Sequence, residues 1–521
     1  MIKIRGDENS VGEGSFNSLE IITTSNRPKR GYTSKYLIAL LHHGRVPAEY
    51  FLKLLRDALE DVNKARRKPR NSLEVAFNHV DLDDSMSARM ILSGIQPEDE
   101  AYLQSQLALM TKEERKGLKQ GRIPIDECYN LMGTTDPTGS LKQDQVCVIL
   151  DNGQLSGKVL VYKHPGLHFG DIHVLTATYI DGLEKIVGNS KYAIFFLVCG
   201  PRSLADEIAN SDYDGDVYWV SRNPQLLECF EQREEPWLGR IKLKKTEQKK
   251  PQDYPESKLE SQLFCEFLRA RFTPSHVMGT AANCWLALMD RFLTEDIPES
   301  EKKDLRMKML DLVDIYYLAV DAPKQGDKVT IPKELTVAEY PHFMELGEER
   351  SYHSTSVLGK IYDEVTLQES ETDPSIKIVP LSCFMEEEVS EYYKQHWTAL
   401  YKEYLRESSK LCNLEDKAER NASFRELYQD YKRMLYKAEE FEQSTRERLD
   451  LFKEACAVYQ VVYKHAMAQE KVKVSKCGFA WEVAGRALCQ FYTLKQPGET
   501  ALCSFSVSRL LSRREESPLT S

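Results

Sequence analysis

No Cys-x-x-Cys pair and no His/Cys ladder at zinc spacing occurs among the twelve cysteines of this 521-residue chain. That excludes a zinc finger and leaves no framework for a disulfide scaffold. Thiols scattered in this way predict reduced cysteines in an intracellular compartment. Long apolar runs are missing as well: none approaches the ~18 to 20 residues that a membrane-spanning helix needs, and the opening MIKIRGDENS has no signal-peptide h-region. There is no excess of positive charge. With 70 basic against 81 acidic residues and a net charge of −11, binding of nucleic acid by bulk charge is excluded, while a locally basic groove is not. GxxxxGK[ST], GxGxxG, HExxH and GxSxG are all absent, so P-loop, dinucleotide-binding, zincin and α/β-hydrolase chemistry lose their usual support. A soluble protein of the nucleus or cytoplasm, without a membrane partner, is the expectation.

What is present is ordinary globular composition, 41% hydrophobic and 29% charged, at a length that predicts about three domains at ~150 residues each. One short strand-like run, Leu19 to Thr24, opens the chain. From Thr33 to Ala65 the apolar residues Tyr36, Leu37, Leu40, Leu41, Phe51, Leu52, Leu55 and Leu59 recur at three- and four-residue steps. This predicts two amphipathic helices broken around Gly44 to Pro47. A basic run, Lys64 to Arg70, reads as a solvated linker before it reads as a phosphate contact. Residues 86 to 122 are helical again. The period then changes: Val146 to Leu150, Lys158 to Tyr162, His173 to Ile180, Tyr192 to Val198 and Val217 to Val220 are short β-branched and aromatic runs parted by Gly, Pro, Asp and Asn. Five or six strands within about 90 residues predict a compact barrel-like unit. Beyond Pro224 the pattern is helical to about residue 495, and residues 386 to 470, dense in Glu, Lys, Arg and Tyr, predict an exposed helical bundle. A second basic run, Lys242 to Lys250, follows the barrel. The last twenty or so residues read as a disordered tail.

One segment is not explained by packing. Asn210, Ser211, Asp212, Tyr213, Asp214, Gly215 and Asp216 run directly into Val217 to Val220. On a regular strand, carboxylates at i, i+2 and i+4 would spread over about 13 Å. In a turn, with Gly215 supplying the backbone freedom, they can converge. Three converging like charges call for a hard divalent cation with oxygen ligands, Mg²⁺ above all and Mn²⁺ after it. An acidic β-turn between strands is the plain alternative. An EF-hand is excluded by count, because its sixth and twelfth positions from Asp212 are Val217 and Asn223 rather than Gly and Glu.

NSDYDGD resembles the NADFDGD signature of multisubunit RNA polymerases and the DxDGD motif of the eukaryotic RNA-dependent RNA polymerases of RNA silencing. LMGTTDPTGSL at 131–141, GKVLVYKHPGLHFGD at 157–171, AVDAPK at 319–324 and YPHFM at 340–344 resemble segments of the second family in order. Tyr213, an aromatic inside the motif, resembles the plant gamma group. The resemblance implies an α+β chain in which a double-psi β-barrel catalytic unit is flanked by largely helical domains. It also implies RNA-directed RNA polymerase activity: a nucleotidyltransferase that copies single-stranded RNA from nucleoside triphosphates into double-stranded RNA for siRNA production, beside silencing-pathway proteins. Asp212, Asp214 and Asp216 would be catalytic and hold Mg²⁺, in a two-metal displacement of pyrophosphate.

The same resemblance divides the chain into a remnant of a first barrel (1–25), a helical connector (26–125), the double-psi barrel (126–224), a helical domain (225–385), a helical head-like domain (386–495) and the tail (496–521). Met1, Ile2 and Lys3 resemble the end of an RPSMxK-type segment of a lysine-bearing first barrel, most of which is expected upstream. The alternative is therefore a catalytically incomplete, RNA-binding or regulatory fragment. Lys3, Lys158, Lys163 and His168 are the candidate contacts to template or triphosphate, with strand-end decoration and a hydrogen-bonded structural histidine as their ordinary readings.

Overall fold

The computed structural model describes residues 2–5, 18–21, 24–25, 28, 30–65, 68–79, 85–188, 192–239, 252, 254–272, 276–294, 298–325, 329–369, 376–468 and 474–496. All of the second basic run and all of the predicted tail beyond Gln496 lie outside them. Two compact units form, one from residues 1–58 and 117–370, the other from 59–116 and 371–521.

The first unit is built on a barrel. Strands β1 (Ile2–Arg5) and β2 (Ser18–Ile21) make a separate antiparallel pair, as do β3 (Gly31–Tyr32) and β4 (Pro124–Ile125). Seven further strands follow: β5 (Cys128–Thr135), β6 (Gln145–Leu150), β7 (Gly153–Gln154), β8 (Gly157–Lys163), β9 (His173–Ala177), β10 (Ala193–Phe196) and β11 (Val217–Ser221). The order β10-β5-β11-β8-β9-β6 closes on itself through a β10–β6 pairing, and β7 is only a hairpin extension of β6. The closed ring has six strands, with parallel pairs β5–β10 and β6–β9 among antiparallel ones. That is the wiring of a double-psi barrel, and the chain as a whole is α+β.

Strand alternation accounts for the core. Val146, Val148 and Leu150, Val159 and Val161, Leu175 and Ala177, Ile194 and Phe196, Tyr218 and Val220 sit two apart and fill one buried cluster. The intervening Cys147, Ile149, Ala193 and Phe195 face outward under Leu141, Ile180 and Leu183. The strand that pattern reading leaves out is β5. Its sequence CYNLMGTT has no clean alternation, and its burial is correspondingly irregular.

Helices Lys35–His43 and Ala48–Lys64 occupy the predicted span. Ser34 caps the first by accepting from Leu37 N–H, and the break falls at Gly44 as expected. In the second unit, Glu391–Leu411, Lys417–Tyr436, Arg448–Met467 and Gly478–Lys495 form a helical bundle. The expectation of an exposed bundle needs correction. Trp397, Tyr401, Tyr436, Tyr459, Tyr463 and Trp481 are fully buried in its core, and only the outward faces carry the charge that dominates the composition. Trp397 donates its indole N–H to Glu454 at 2.8 Å, and Arg446 pairs with that same carboxylate at 2.6 Å.

Candidate functional site

Residues 208 to 216 carry the chain from the short turn Leu204–Glu207 into β11. Ala209 (φ 55°) and Asn210 (φ 48°) adopt the left-handed conformation, and Gly215 (φ 131°) takes a value open only to glycine. These turns draw the aspartates together: one carboxylate oxygen from each of Asp212, Asp214 and Asp216 lies within 4.8 Å of the others. Asp212 and Asp214 are exposed and Asp216 is half-buried.

The loop is pinned from within. Asp212 N–H donates to Asp216 Oδ2 at 2.9 Å, and Asp214 N–H donates to Asp212 Oδ1 at 3.0 Å. Ser211 Oγ donates to the Ala205 carbonyl and accepts from the hydroxyl of buried Tyr218 on β11 at 2.8 Å, with the Asp212 carbonyl, 3.2 Å from the same hydroxyl, as its second acceptor. Gly133 on β5 donates its N–H to the Asp216 carbonyl at 3.1 Å. A Cβ at position 133 would stand 2.2 Å from the Tyr218 ring, so only glycine admits that ring. Tyr213 packs its ring against Phe196 at 5.6 Å, which leaves the flanking aspartates directed outward.

Lys163 ends β8 opposite Tyr218 and places its Nζ 2.9 Å from Asp216 Oδ2, both side chains about four-fifths buried. Its position, two and four residues from the inward-facing Val161 and Val159, puts it at the barrel mouth. Lys158, an odd number of residues away, stands exposed about 16 Å down the same strand and on the other face. His168 is half-buried in the loop after β8, where its Nδ1 accepts from Gly170 N–H at 3.1 Å. The backbone of Lys3 lies in β1, and its side chain is outside the described residues.

Sequence reasoning missed Asp171. It is fully buried and accepts from His168 N–H at 2.7 Å, from Ala209 N–H at 3.2 Å, and from the Tyr317 hydroxyl. One carboxylate thus ties the loop after β8, the approach to the aspartate loop and the helix Glu299–Gln325 together. Burial pushes it up to about 7, against the lowering effect of those donors. Glycine inside a strand is a legible signal for Gly133; Asp171 is not marked in this way, because two of its three partners lie 38 and 146 residues away.

A second group, His342, His353 and Asp363, is equally tight. Its rings are stacked at 4.5 Å and 13°, so no single ion lies in both ring planes. His342 Nδ1 accepts from Ser354 N–H at 3.0 Å, which leaves the proton on Nε2 to donate to Asp363 at 3.1 Å. This is a hydrogen-bonded trio.

The aspartate site fits a hard divalent cation on donor chemistry: three carboxylates converge, two of them exposed, and Asp212 and Asp216 also accept from backbone N–H groups of the same loop.

Comparison with known proteins adds the rest. A family model described as RNA dependent RNA polymerase matches residues 1–365, and one for the RdRP head domain matches 382–508. The Probable RNA-dependent RNA polymerase 3 of Oryza sativa subsp. japonica is 58% identical over 98% of this chain and 46% of its own length. The Probable RNA-dependent RNA polymerase 3 of Arabidopsis thaliana is 46% identical over 98% of this chain and 51% of its own. The chain spans about half the length of the curated relatives it matches. Among solved structures, the RNA dependent RNA polymerase QDE-1 from Thielavia terrestris shares the fold with a TM-score of 0.56 at 15% identity, over 97% of this chain and 63% of that one.

Proposed function

The chain belongs to the RNA-dependent RNA polymerase family, and from that premise we propose that its barrel site transfers nucleotidyl groups from nucleoside triphosphates to a strand growing on a single-stranded RNA template, with double-stranded RNA as product. The observation that carries this reading is the convergence of Asp212, Asp214 and Asp216 at the mouth of the barrel. Bound Mg²⁺, with Mn²⁺ as substitute, would acidify the attacking 3′-hydroxyl and neutralise charge on the transferring phosphate, and a two-ion arrangement suits an in-line displacement of pyrophosphate.

The protein's own groups have separable tasks. Asp212 and Asp214, exposed and directed outward, supply oxygen ligands; Asp216 supplies a third while its other demand is met by Lys163. Lys163 is placed to lend a positive charge to the triphosphate once ion binding relieves Asp216. Tyr218, Gly133 and Asp171 fix the loop, so little reorganisation is left for the moment of reaction. Lys3, Lys158 and His168 remain candidate contacts to template or triphosphate. The resemblance of NSDYDGD and its neighbouring segments to the polymerases of RNA silencing extends the proposal to a place in that process, with siRNA precursors as the product's use and nuclear or cytoplasmic residence. No described helix is long and apolar enough to cross a membrane.

The test is labelled-nucleotide incorporation on single-stranded RNA with Mg²⁺, comparing the wild-type chain with Asp214→Asn. Template-dependent incorporation that disappears in Asp214→Asn while RNA binding persists supports the reading. Incorporation that survives the substitution overturns the site. RNA binding without any incorporation by the wild type favours the alternative, a catalytically incomplete, RNA-binding or regulatory fragment of such a polymerase.

A further inference from the structure

The helical unit holds a site that the barrel chemistry does not use. Helix Glu391–Leu411 presents Lys394, Thr398, Tyr401 and Lys402 along one face, at steps of four, three and one. Helix Arg448–Met467 presents Gln460, Val461, Lys464 and His465 at steps of one, three and one. These eight residues line a cavity of about 390 Å³, within the size range of small-ligand sites.

Its electrostatics are one-sided. Three lysines converge there, and no carboxylate is among the lining residues. The described residues give Lys394, Lys402 and Lys464 no ion-pair partner, although the chain carries 81 acidic side chains and other helix lysines nearby are paired, as Lys495 is with Glu387 at 3.1 Å. The polar groups between the lysines are already committed. Gln460 donates its amide to the carbonyls of Phe384 and Glu387, Thr398 donates to Lys394 O, and Tyr401 donates to Lys476 O. Burial, with Lys476 and Lys402 adding to it, holds His465 below its usual range, so the local potential is positive even with that imidazole neutral.

We propose that this cavity is a phosphate-ester site, taking the backbone phosphates of a nucleic-acid strand. Three ammonium-bearing side chains and no carboxylate line this one cavity, a donor set that favours an anion. Compact ammonium groups on flexible stems suit a phosphate approached from several directions. The same chemistry would admit a free nucleotide or inorganic pyrophosphate, and the experiment separates these sources. The inference concerns a different unit from the aspartate site and stands or falls independently of nucleotidyl transfer.

Binding of a fluorescein-labelled single-stranded RNA is followed by anisotropy at 50 and 200 mM salt for the wild-type chain, for Lys394→Ala/Lys402→Ala/Lys464→Ala, and for the matching triple arginine variant. Each lysine–phosphate contact on a single strand contributes about 0.7 to the salt slope. The alanine variant should therefore lose about 2 from the slope and bind roughly 10-fold more weakly at the lower salt, while the arginine variant keeps both. Unlabelled ATP and pyrophosphate serve as competitors and are titrated separately. If only their binding falls in the alanine variant, the site takes free phosphate esters. If RNA and small phosphates bind all three proteins alike, or if the arginine variant loses as much as the alanine one despite unchanged circular dichroism, the proposal is overturned.

Discussion

Lys163 Nζ lies 2.9 Å from Asp216 Oδ2, with both side chains about four-fifths out of water. An ammonium in that position stands where a divalent ion would also draw on the same carboxylate. Two consequences of opposite sign follow for Lys163→Gln. Mn²⁺ affinity should not fall and should rise a few-fold, because the competing charge is gone. The KM for nucleoside triphosphate should rise about 10-fold or more, because one charge-assisted contact to phosphate is lost. Isothermal titration with Mn²⁺ and steady-state incorporation measure the two halves. Weaker Mn²⁺ binding in the variant would show that Lys163 supports the metal site rather than competing with it.

Asp171 joins segments far apart in sequence and is held at about 7 by burial. Its folded-state value lies above the ordinary carboxylate value near 3.8, so the folded chain binds more protons than the unfolded one between these limits. The stability this group contributes is complete below about pH 4 and is lost as pH rises through 7. Asp171→Asn should remove that pH-dependent part. It should also cost ~1 to 3 kcal/mol, since an amide cannot accept from His168, Ala209 and Tyr317 together. Thermal unfolding of both proteins from pH 5 to 8 decides it: the difference between them should narrow as pH rises. A constant difference across that range would refute the assignment.

Much of the barrel is legible in the sequence because its inner face alternates so regularly; Val146, Val148 and Leu150 beside Val159 and Val161 need no tertiary information. β5 is not legible. It pairs with strands on both sides, so neighbours decide its state where its own residues do not. The aspartate triad is visible as a motif, yet its convergence depends on left-handed Ala209 and Asn210, which no propensity suggests. The helical bundle reads as exposed because Glu, Lys, Arg and Tyr are dense along it; the spacing of Trp397, Leu400, Tyr401 and Leu405 marks the buried face more faithfully than composition does.

Gly133 and Tyr218 should be energetically coupled. Gly133→Ala puts a Cβ 2.2 Å from the Tyr218 ring and should destabilise the barrel by ~1 to 3 kcal/mol. In a Tyr218→Leu background the same substitution should cost much less, so denaturant unfolding of the double-mutant cycle should give a coupling above ~1 kcal/mol. Tyr218→Phe alone, which deletes only the bonds to Ser211 and the Asp212 carbonyl, should cost ~1 kcal/mol and loosen Mn²⁺ binding with the barrel intact. Additive costs in the cycle would mean that the ring escapes the clash by moving.

The central claim is that Asp212, Asp214 and Asp216 form one divalent-cation site, and Mn²⁺ titration of the wild-type chain against the triple Asp→Asn variant, by calorimetry and electron paramagnetic resonance, tests it most directly. The wild type should bind Mn²⁺ saturably and release it to excess Mg²⁺, whereas the variant, with its circular dichroism unchanged, should bind at least 10-fold more weakly. Equal binding by the two proteins would contradict the account.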